Sequence, residues 1–371
     1  MEILCILAGA LALVCALALT PLARALALRI GFVDVPGPRK IHTEPMAYGG
    51  GLALAAGLAL ALVAVSWSVQ QLRGNPAWRE WNEWIALGRL NLDLLQLRTL
   101  AVCLAGAFGV LLLGLADDRF ALSPGMKITF QLVLAVAAVS GGVRITALVG
   151  DNLFMHIATV LWIVLITNSF NLLDNMDGLC SGTAAIAAGV LSIVAIESGD
   201  APSALLLAAL SGACLGFLKW NLAPARIFLG DAGSQGLGFL LATLSASTTY
   251  YTYQESVLSV GIPLLIFAIP LYDTASVFWI RFSEGRALFK GDNSHFSHRL
   301  VDLGMSRRQA VATIHLAALA IALPAAVIPR LDTAAGLLLA SQALLILTLI
   351  ALLEYAGRQH AGKQGRDHER P

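Results

Sequence analysis

About eleven stretches of this chain run for roughly twenty residues with almost no charge, the length at which an α-helix crosses the hydrocarbon core of a bilayer. They lie near 3–28, 49–69, 98–116, 126–142, 153–170, 180–197, 202–218, 235–254, 257–280, 309–328 and 333–355. Of the 371 residues, 58% are apolar or aromatic and 13% are charged, against roughly 25% charged in an ordinary soluble domain. Mean hydropathy is +0.77. So little polar sequence cannot cover one aqueous core of this size. The same figures exclude disorder, collagen and coiled coil. The fold class predicted is all-α, a polytopic membrane protein whose solvent is the lipid bilayer.

Charge sharpens the reading. A formal net charge of +1 gives no reason to expect a nucleic-acid partner. The five cysteines, Cys5, Cys15, Cys103, Cys180 and Cys214, form no CxxC pair and suggest neither a disulfide framework nor a zinc site. Residues 1–28 carry Glu2 in place of a basic start and read as a retained first span. An odd span count puts the termini on opposite sides, and eighteen of the 24 Lys and Arg fall on the side holding the C-terminus. That side is therefore predicted cytoplasmic and the N-terminus outside. Residues 1–356 form one integral-membrane domain and 357–371 a polar tail expected to be disordered. The outer loop 70–97 holds Trp78, Trp81 and Trp84 near helical spacing and reads as an interfacial amphipathic helix. No internal repeat is visible, which counts against an inverted-repeat transporter.

The chemistry-bearing residues sit at helix ends, and all fall in loops of the predicted cytoplasmic side. Asp117 and Asp118 close an apolar run. Two adjacent carboxylates at such a depth bind a divalent cation or hold different pKa values; the plain alternative is a hydrated helix end. Asn168, Asn171, Asp174 and Asp177 recur every three residues, so a continued helix aligns them in one strip. Oxygen ligands in that pattern suit Mg²⁺ or a nucleotide edge, and the glutamate that would close a calcium EF-hand loop is missing. Phe228-Leu229-Gly230-Asp231-Ala232-Gly233-Ser234 places an aspartate in a small-residue turn ahead of a helix, which suits an oxyanion and is also an ordinary glycine turn. His295 and His298 stand beside Lys290 and Arg299 and read as phosphate contacts, since zinc would need further ligands. Asp34, Arg39, Lys40 and His42, ahead of Gly49-Gly50-Gly51, supply clustered cations for a phosphorylated ligand or serve only as a topogenic loop.

Taken in order, these five segments resemble the polyprenyl-phosphate N-acetylhexosamine-1-phosphate transferase family over residues 31–310. The resemblance implies transfer of a HexNAc-1-phosphate, GlcNAc-1-phosphate first, from a UDP-N-acetylhexosamine to undecaprenyl phosphate with release of UMP. That is the first membrane step of cell-envelope polysaccharide synthesis, at the cytoplasmic face of the bacterial inner membrane. It implies Mg²⁺, with Mn²⁺ as substitute, and allows a homodimer. By motif it assigns Asp117 and Asp118 to the lipid phosphate and Lys127 to the phosphates. Asn168, Asn171, Asp174 and Asp177 fall to the nucleotide site, and Asp231 with Asn171 to the metal. Phe228 is assigned to the uracil, and Asp34, Arg39, Lys40, His42, His295 and His298 to substrate binding. Another UDP-HexNAc or a UDP-MurNAc-pentapeptide is the alternative donor, and a secondary transporter the alternative class. Direct attack and a phospho-aspartyl intermediate both fit these residues. The chain departs from the family pattern at Ala47, Tyr48, Ala121, Asn175 and Ser297.

Overall fold

The structure, a computed structural model, describes residues 1–36, 44–74, 94–145, 152–248, 261–287 and 294–368. The helices are α1 (Glu2–Arg29), α2 (Gly50–Gly74), α3 (Leu94–Phe120), α4 (Pro124–Ser140), α5 (Leu153–Leu173), α6 (Leu179–Glu197) and α7 (Ala201–Asn221). They continue as α8 (Gly230–Ser247), α9 (Ile262–Ile266), α10 (Ala268–Ser283), α11 (Phe296–Asp302), α12 (Arg307–Ala322) and α13 (Thr333–His368). A 3₁₀ segment, Leu323–Arg330, joins the last two. The only strands among the described residues are β1 (Val33–Asp34) and β2 (Met46–Ala47), paired antiparallel with Val33 opposite Ala47. The chain is thus an all-α multi-pass membrane protein. Eight of the described helices are long and apolar enough to cross a membrane, and α4 is a shorter apolar helix.

Local chemistry explains where helices begin and break. Ser123, Asn152 and Asp200 cap α4, α5 and α7 by accepting hydrogen bonds from the backbone N–H groups of Met126, Met155 and Ser203 respectively. Ser306 and Gln309 form a reciprocal capping box on α12. The predicted span 257–280 is split at Phe267, because Pro270 has no N–H to give the Ile266 carbonyl. Pro324 likewise ends the α geometry of the span 309–328. The polar tail differs from expectation: α13 carries the backbone on to His368. Ala356, Arg358, Gln359, Ala361 and Lys363 are strong helix formers, so the last span's register simply continues. The Trp-rich stretch 75–93 lies outside the described residues.

Small residues let the helices approach closely, as suits packing in lipid, where burial of apolar surface drives little association. α1 packs along both α7 and α2. A Cβ on Gly212 would stand 1.9 Å from the Gly9 carbonyl oxygen, and one on Gly57 2.8 Å from Ala16. Gly212→Ala is expected to lower stability by about 1–3 kcal/mol through this overpacking, read as a lower thermal midpoint in detergent; an unchanged midpoint would refute the contact. α6, α7 and α8 are the most enclosed helices, with Phe170, Phe217, Phe239 and Phe267 fully buried around them. α3 and α5 flank α8 on either side. That sandwich brings the ends of α3 and α5 to the start of α8.

Candidate active site

The amino end of α8 is the centre of the site. Gly230 holds a left-handed φ of +75°, which turns the chain sharply into the helix and leaves its first N–H groups unpaired within the helix. Asp118 fills that need: its two carboxylate oxygens accept from the backbone N–H groups of Asp231 at 2.8 Å and Ala232 at 3.2 Å. α3 comes so near here that a Cβ on Gly114 would lie 2.4 Å from Ala232. In this arrangement Asp118 caps α8.

Asp117 points elsewhere. It accepts from the Lys127 ammonium at 2.6 Å through Oδ2 and from the Leu122 N–H at 2.8 Å through Oδ1. Ala121, which stands where the family pattern has an acid, adopts a φ of +49° in this turn from α3 to α4. Lys127 also reaches Asp231 Oδ2 at 3.2 Å. One ammonium thus bridges two aspartates from distant parts of the chain. Asp231 further accepts from Asn171 Nδ2 at 3.0 Å and from Gln235 Nε2 at 3.2 Å. Asn171 also donates to Ser234 Oγ at 3.1 Å.

The expected four-residue strip does not exist as one face. α5 ends at Leu173, and Asp174 has left helical geometry with φ −77° and ψ 46°. Asn168, one turn before Asn171, donates to Gln131 and to the Val164 carbonyl and reaches the site only through that glutamine. Asp177 accepts from the Ala225 N–H at 2.9 Å and secures the loop between α7 and α8. The helix stops because the Asp174–Gly178 turn closes on a left-handed Gly178, φ +78°, whose N–H is held by Asn221. Of the strip, Asn171 and Asp174 remain at the site. Asp174 makes no side-chain hydrogen bond among the described residues, and enclosure, then the charges of Asp231, Asp118 and Asp177, push its carboxyl well above the ordinary range.

Two polar residues absent from the sequence reading complete the cluster. Gln131 Nε2 donates to Gln235 Oε1 at 3.0 Å, and both side chains are buried. They lie four residues after Lys127 and Asp231 on apolar helices, where an uncharged polar side chain is the available signal. The first loop reaches the site through its hairpin base. Phe228 N–H donates to the Ala47 carbonyl, and Gly50 and Gly51 N–H groups donate to the Phe228 and Leu229 carbonyls. Phe228 packs against Tyr48, ring centroids 6.4 Å apart. Burial and then the charges of Asp34, Asp118 and Asp231 push the Tyr48 phenol upward. Asp34 itself lies in β1, while Arg39, Lys40 and His42 lie outside the described residues.

His298 sits on α11 and His295 at its N-cap. His295 is buried, with Nδ1 2.9 Å from Asp273 Oδ2, and Phe296 N–H donates to Asp273 Oδ1 at 2.6 Å. Asp273, on α10, is a partner of His295 that sequence spacing does not single out. His298 is half-buried, and burial together with the His295 ring holds its pKa below the usual histidine value. The link to the aspartate turn is direct: Ser297 donates to Asn175 Oδ1, so two of the five departures from the family pattern touch each other.

Comparison with known proteins bears on what such a cluster does. Residues 100–249 match glycosyl transferase family 4. The probable undecaprenyl-phosphate N-acetylglucosaminyl 1-phosphate transferase of Bacillus subtilis (strain 168) is 31% identical across 84% of this chain and 81% of its own length. The chain belongs to the polyprenyl-phosphate N-acetylhexosamine-1-phosphate transferase family. The decaprenyl-phosphate N-acetylglucosaminephosphotransferase of Mycobacterium tuberculosis (strain H37Rv) is 31% identical over 89% of this chain and 84% of its own. The undecaprenyl-phosphate alpha-N-acetylglucosaminyl 1-phosphate transferase of Escherichia coli (strain K12) is 25% identical over 80% and 76%. The family match runs from α3 to α8 and so takes in Asp117, Lys127, Asn171, Asp174 and Asp231 together.

Proposed function

We propose that this chain transfers N-acetylhexosamine-1-phosphate, GlcNAc-1-phosphate first, from a UDP-sugar to undecaprenyl phosphate. The observation that carries the reading is Lys127 bridging Asp117 and Asp231 at the start of α8, in a chain similar along most of its length to transferases named for that reaction. An oxygen of the lipid phosphate attacks the sugar-bearing phosphorus of the donor. The new P–O bond forms as the bond to the oxygen bridging the two donor phosphates breaks, and UMP leaves with that electron pair. Both reactants are anions, so the site must first offset their charge. Lys127 does this between the two phosphates, while Asp117 keeps the attacking phosphate ionised and aimed.

The acids also fit a divalent cation. The donors are hard oxygens: Asp117 and Asp231 meet at the ammonium of Lys127, and the charges of Asp231 and Asp118 act on the Asp174 carboxyl. Mg²⁺ is typically held by one or two carboxylates and completed by substrate phosphates. Asp231, Asn171 and the unpartnered Asp174 would hold it. When bound it supplies charge neutralisation for the pyrophosphate, and Mn²⁺ would substitute. The cluster lies at helix ends, so a polyprenyl tail stays in lipid while its phosphate reaches the acids. With Lys and Arg concentrated at that side, the face is cytoplasmic and the membrane the bacterial inner one. Acids gathered at helix ends, with none at mid-membrane among them, disfavour the transporter reading.

The test is product formation from radiolabelled UDP-GlcNAc and undecaprenyl phosphate in detergent. Labelled lipid and UMP are expected in equal amounts, lost with chelator and restored by Mg²⁺. No lipid product with any UDP-HexNAc would overturn the function, and full activity in chelator would overturn the metal.

A further inference from the structure

Over residues 333–356 α13 faces mostly outward: Leu344, Leu345, Leu349, Leu352 and Leu353 are all exposed, as lipid-facing side chains are. Glu354 breaks that pattern, with 7% of its surface exposed. A carboxylate turned inward from a lipid-facing helix needs a partner, because an uncompensated charge there is costly. Its partner is Arg299 of α11, also buried, with Nε 3.0 Å from Glu354 Oε1. Tyr272 of α10 donates to the second oxygen at 2.9 Å. The rest of the guanidinium is spent within the histidine segment and its neighbour: Nη2 donates to Ser276 Oγ at 2.8 Å and Nη1 to the Ser294 carbonyl. Phe296 stands edge-on to Tyr272 and beneath the guanidinium.

α11 has seven residues, too few to keep its place by its own hydrogen bonds. Asp273 grips its first residue, and the Arg299–Glu354 pair grips its fourth. We propose that Glu354 is a positioning residue: the last helix acts as a strut that sets the histidine helix, and with it His298, against the donor sugar-nucleotide. The assignment of that helix to donor binding rests on the transferase reading above; the mechanical claim does not. The strut acts on α11 and, through Tyr272 and Ser276, on the neighbouring α10. It leaves the Asp117–Lys127–Asp231 cluster, which is held by α3, α4 and α8, where it was.

Two measurements on the full-length protein in detergent decide it. In hydrogen–deuterium exchange, Glu354→Gln is expected to speed exchange of the segment 294–303 while segments of α5 and α8 stay as in the unchanged protein. In steady-state kinetics the same variant is expected to raise KM for UDP-GlcNAc and lower kcat/KM by about a hundredfold, the scale of a misplaced contact, with KM for undecaprenyl phosphate unchanged. Glu354→Asp, which keeps the charge, recovers part of the loss. Tyr272→Phe, which removes one bond and no charge, moves both readouts the same way by less, and serves if Glu354→Gln does not fold. Unchanged exchange at 294–303, or equal changes in both KM values, overturns the strut. No transfer by the unchanged protein from any UDP-HexNAc overturns the transferase reading, and the exchange result then decides the strut alone.

Discussion

Replacing Asp117 with asparagine is expected to lower the rate of lipid-linked product formation by about 10³-fold, within the range for loss of a positioned proton-transfer or charge-bearing group. The fold should survive, because asparagine still offers the Leu122 N–H an oxygen in place of Asp117 Oδ1. What disappears is the charge that holds Lys127 at 2.6 Å. Asp231→Asn is expected to fall as far, since Asp231 is the other end of the Lys127 bridge and the nearest partner of Asn171. The double variant should lose little more than either single one, because the two carboxylates act through the same ammonium. Initial rates with radiolabelled donor, on protein whose thermal midpoint is checked first, make the comparison. Full activity in both single variants would remove the aspartates from the chemistry.

Asp118→Ala should behave differently, with the larger effect on the fold. It strips the acceptor from two backbone N–H groups at the start of α8, and hydrogen bonds to a charged group are worth about 1.5–3 kcal/mol each. A loss of roughly 3 kcal/mol or more is expected, seen as a fall in thermal midpoint, and activity falls with it because Asp231 is the residue being held. Asp118→Asn keeps one acceptor oxygen and should lose about half as much. A variant that keeps its midpoint and loses all turnover would return Asp118 to the lipid phosphate beside Asp117.

The contrast between these neighbours shows how far the sequence could be read. The pair Asp117-Asp118 announces itself at the end of an apolar run, but the two were expected to share a task. Adjacent residues on a helix point about 100° apart, so one faces Lys127 across the α3–α4 turn and the other faces α8. The three-residue spacing of Asn168, Asn171, Asp174 and Asp177 held good only while the helix lasted, and a left-handed glycine at 178 ended it. Gln131, Gln235, Asp273 and Glu354 carry no spacing signal in the sequence for a common reason. Their partners are distant in sequence: 104 residues separate Gln131 from Gln235, 22 separate Asp273 from His295, and 55 separate Glu354 from Arg299. No spacing rule links such residues.

Transfer energetics act residue by residue along a chain. For that reason the apolar runs alone were enough for an all-helical multi-pass membrane protein, though eight of the described helices, against eleven expected spans, are long and apolar enough to cross. Motif order was enough for the family. Which carboxylate meets the ammonium, which caps a helix and which turn carries an unpartnered acid depend on directions across helices that never touch in sequence. Those directions follow from how closely the helices pack. Gly114 admits the start of α8 to within touching distance of α3, and only that approach gives two adjacent aspartates separate work.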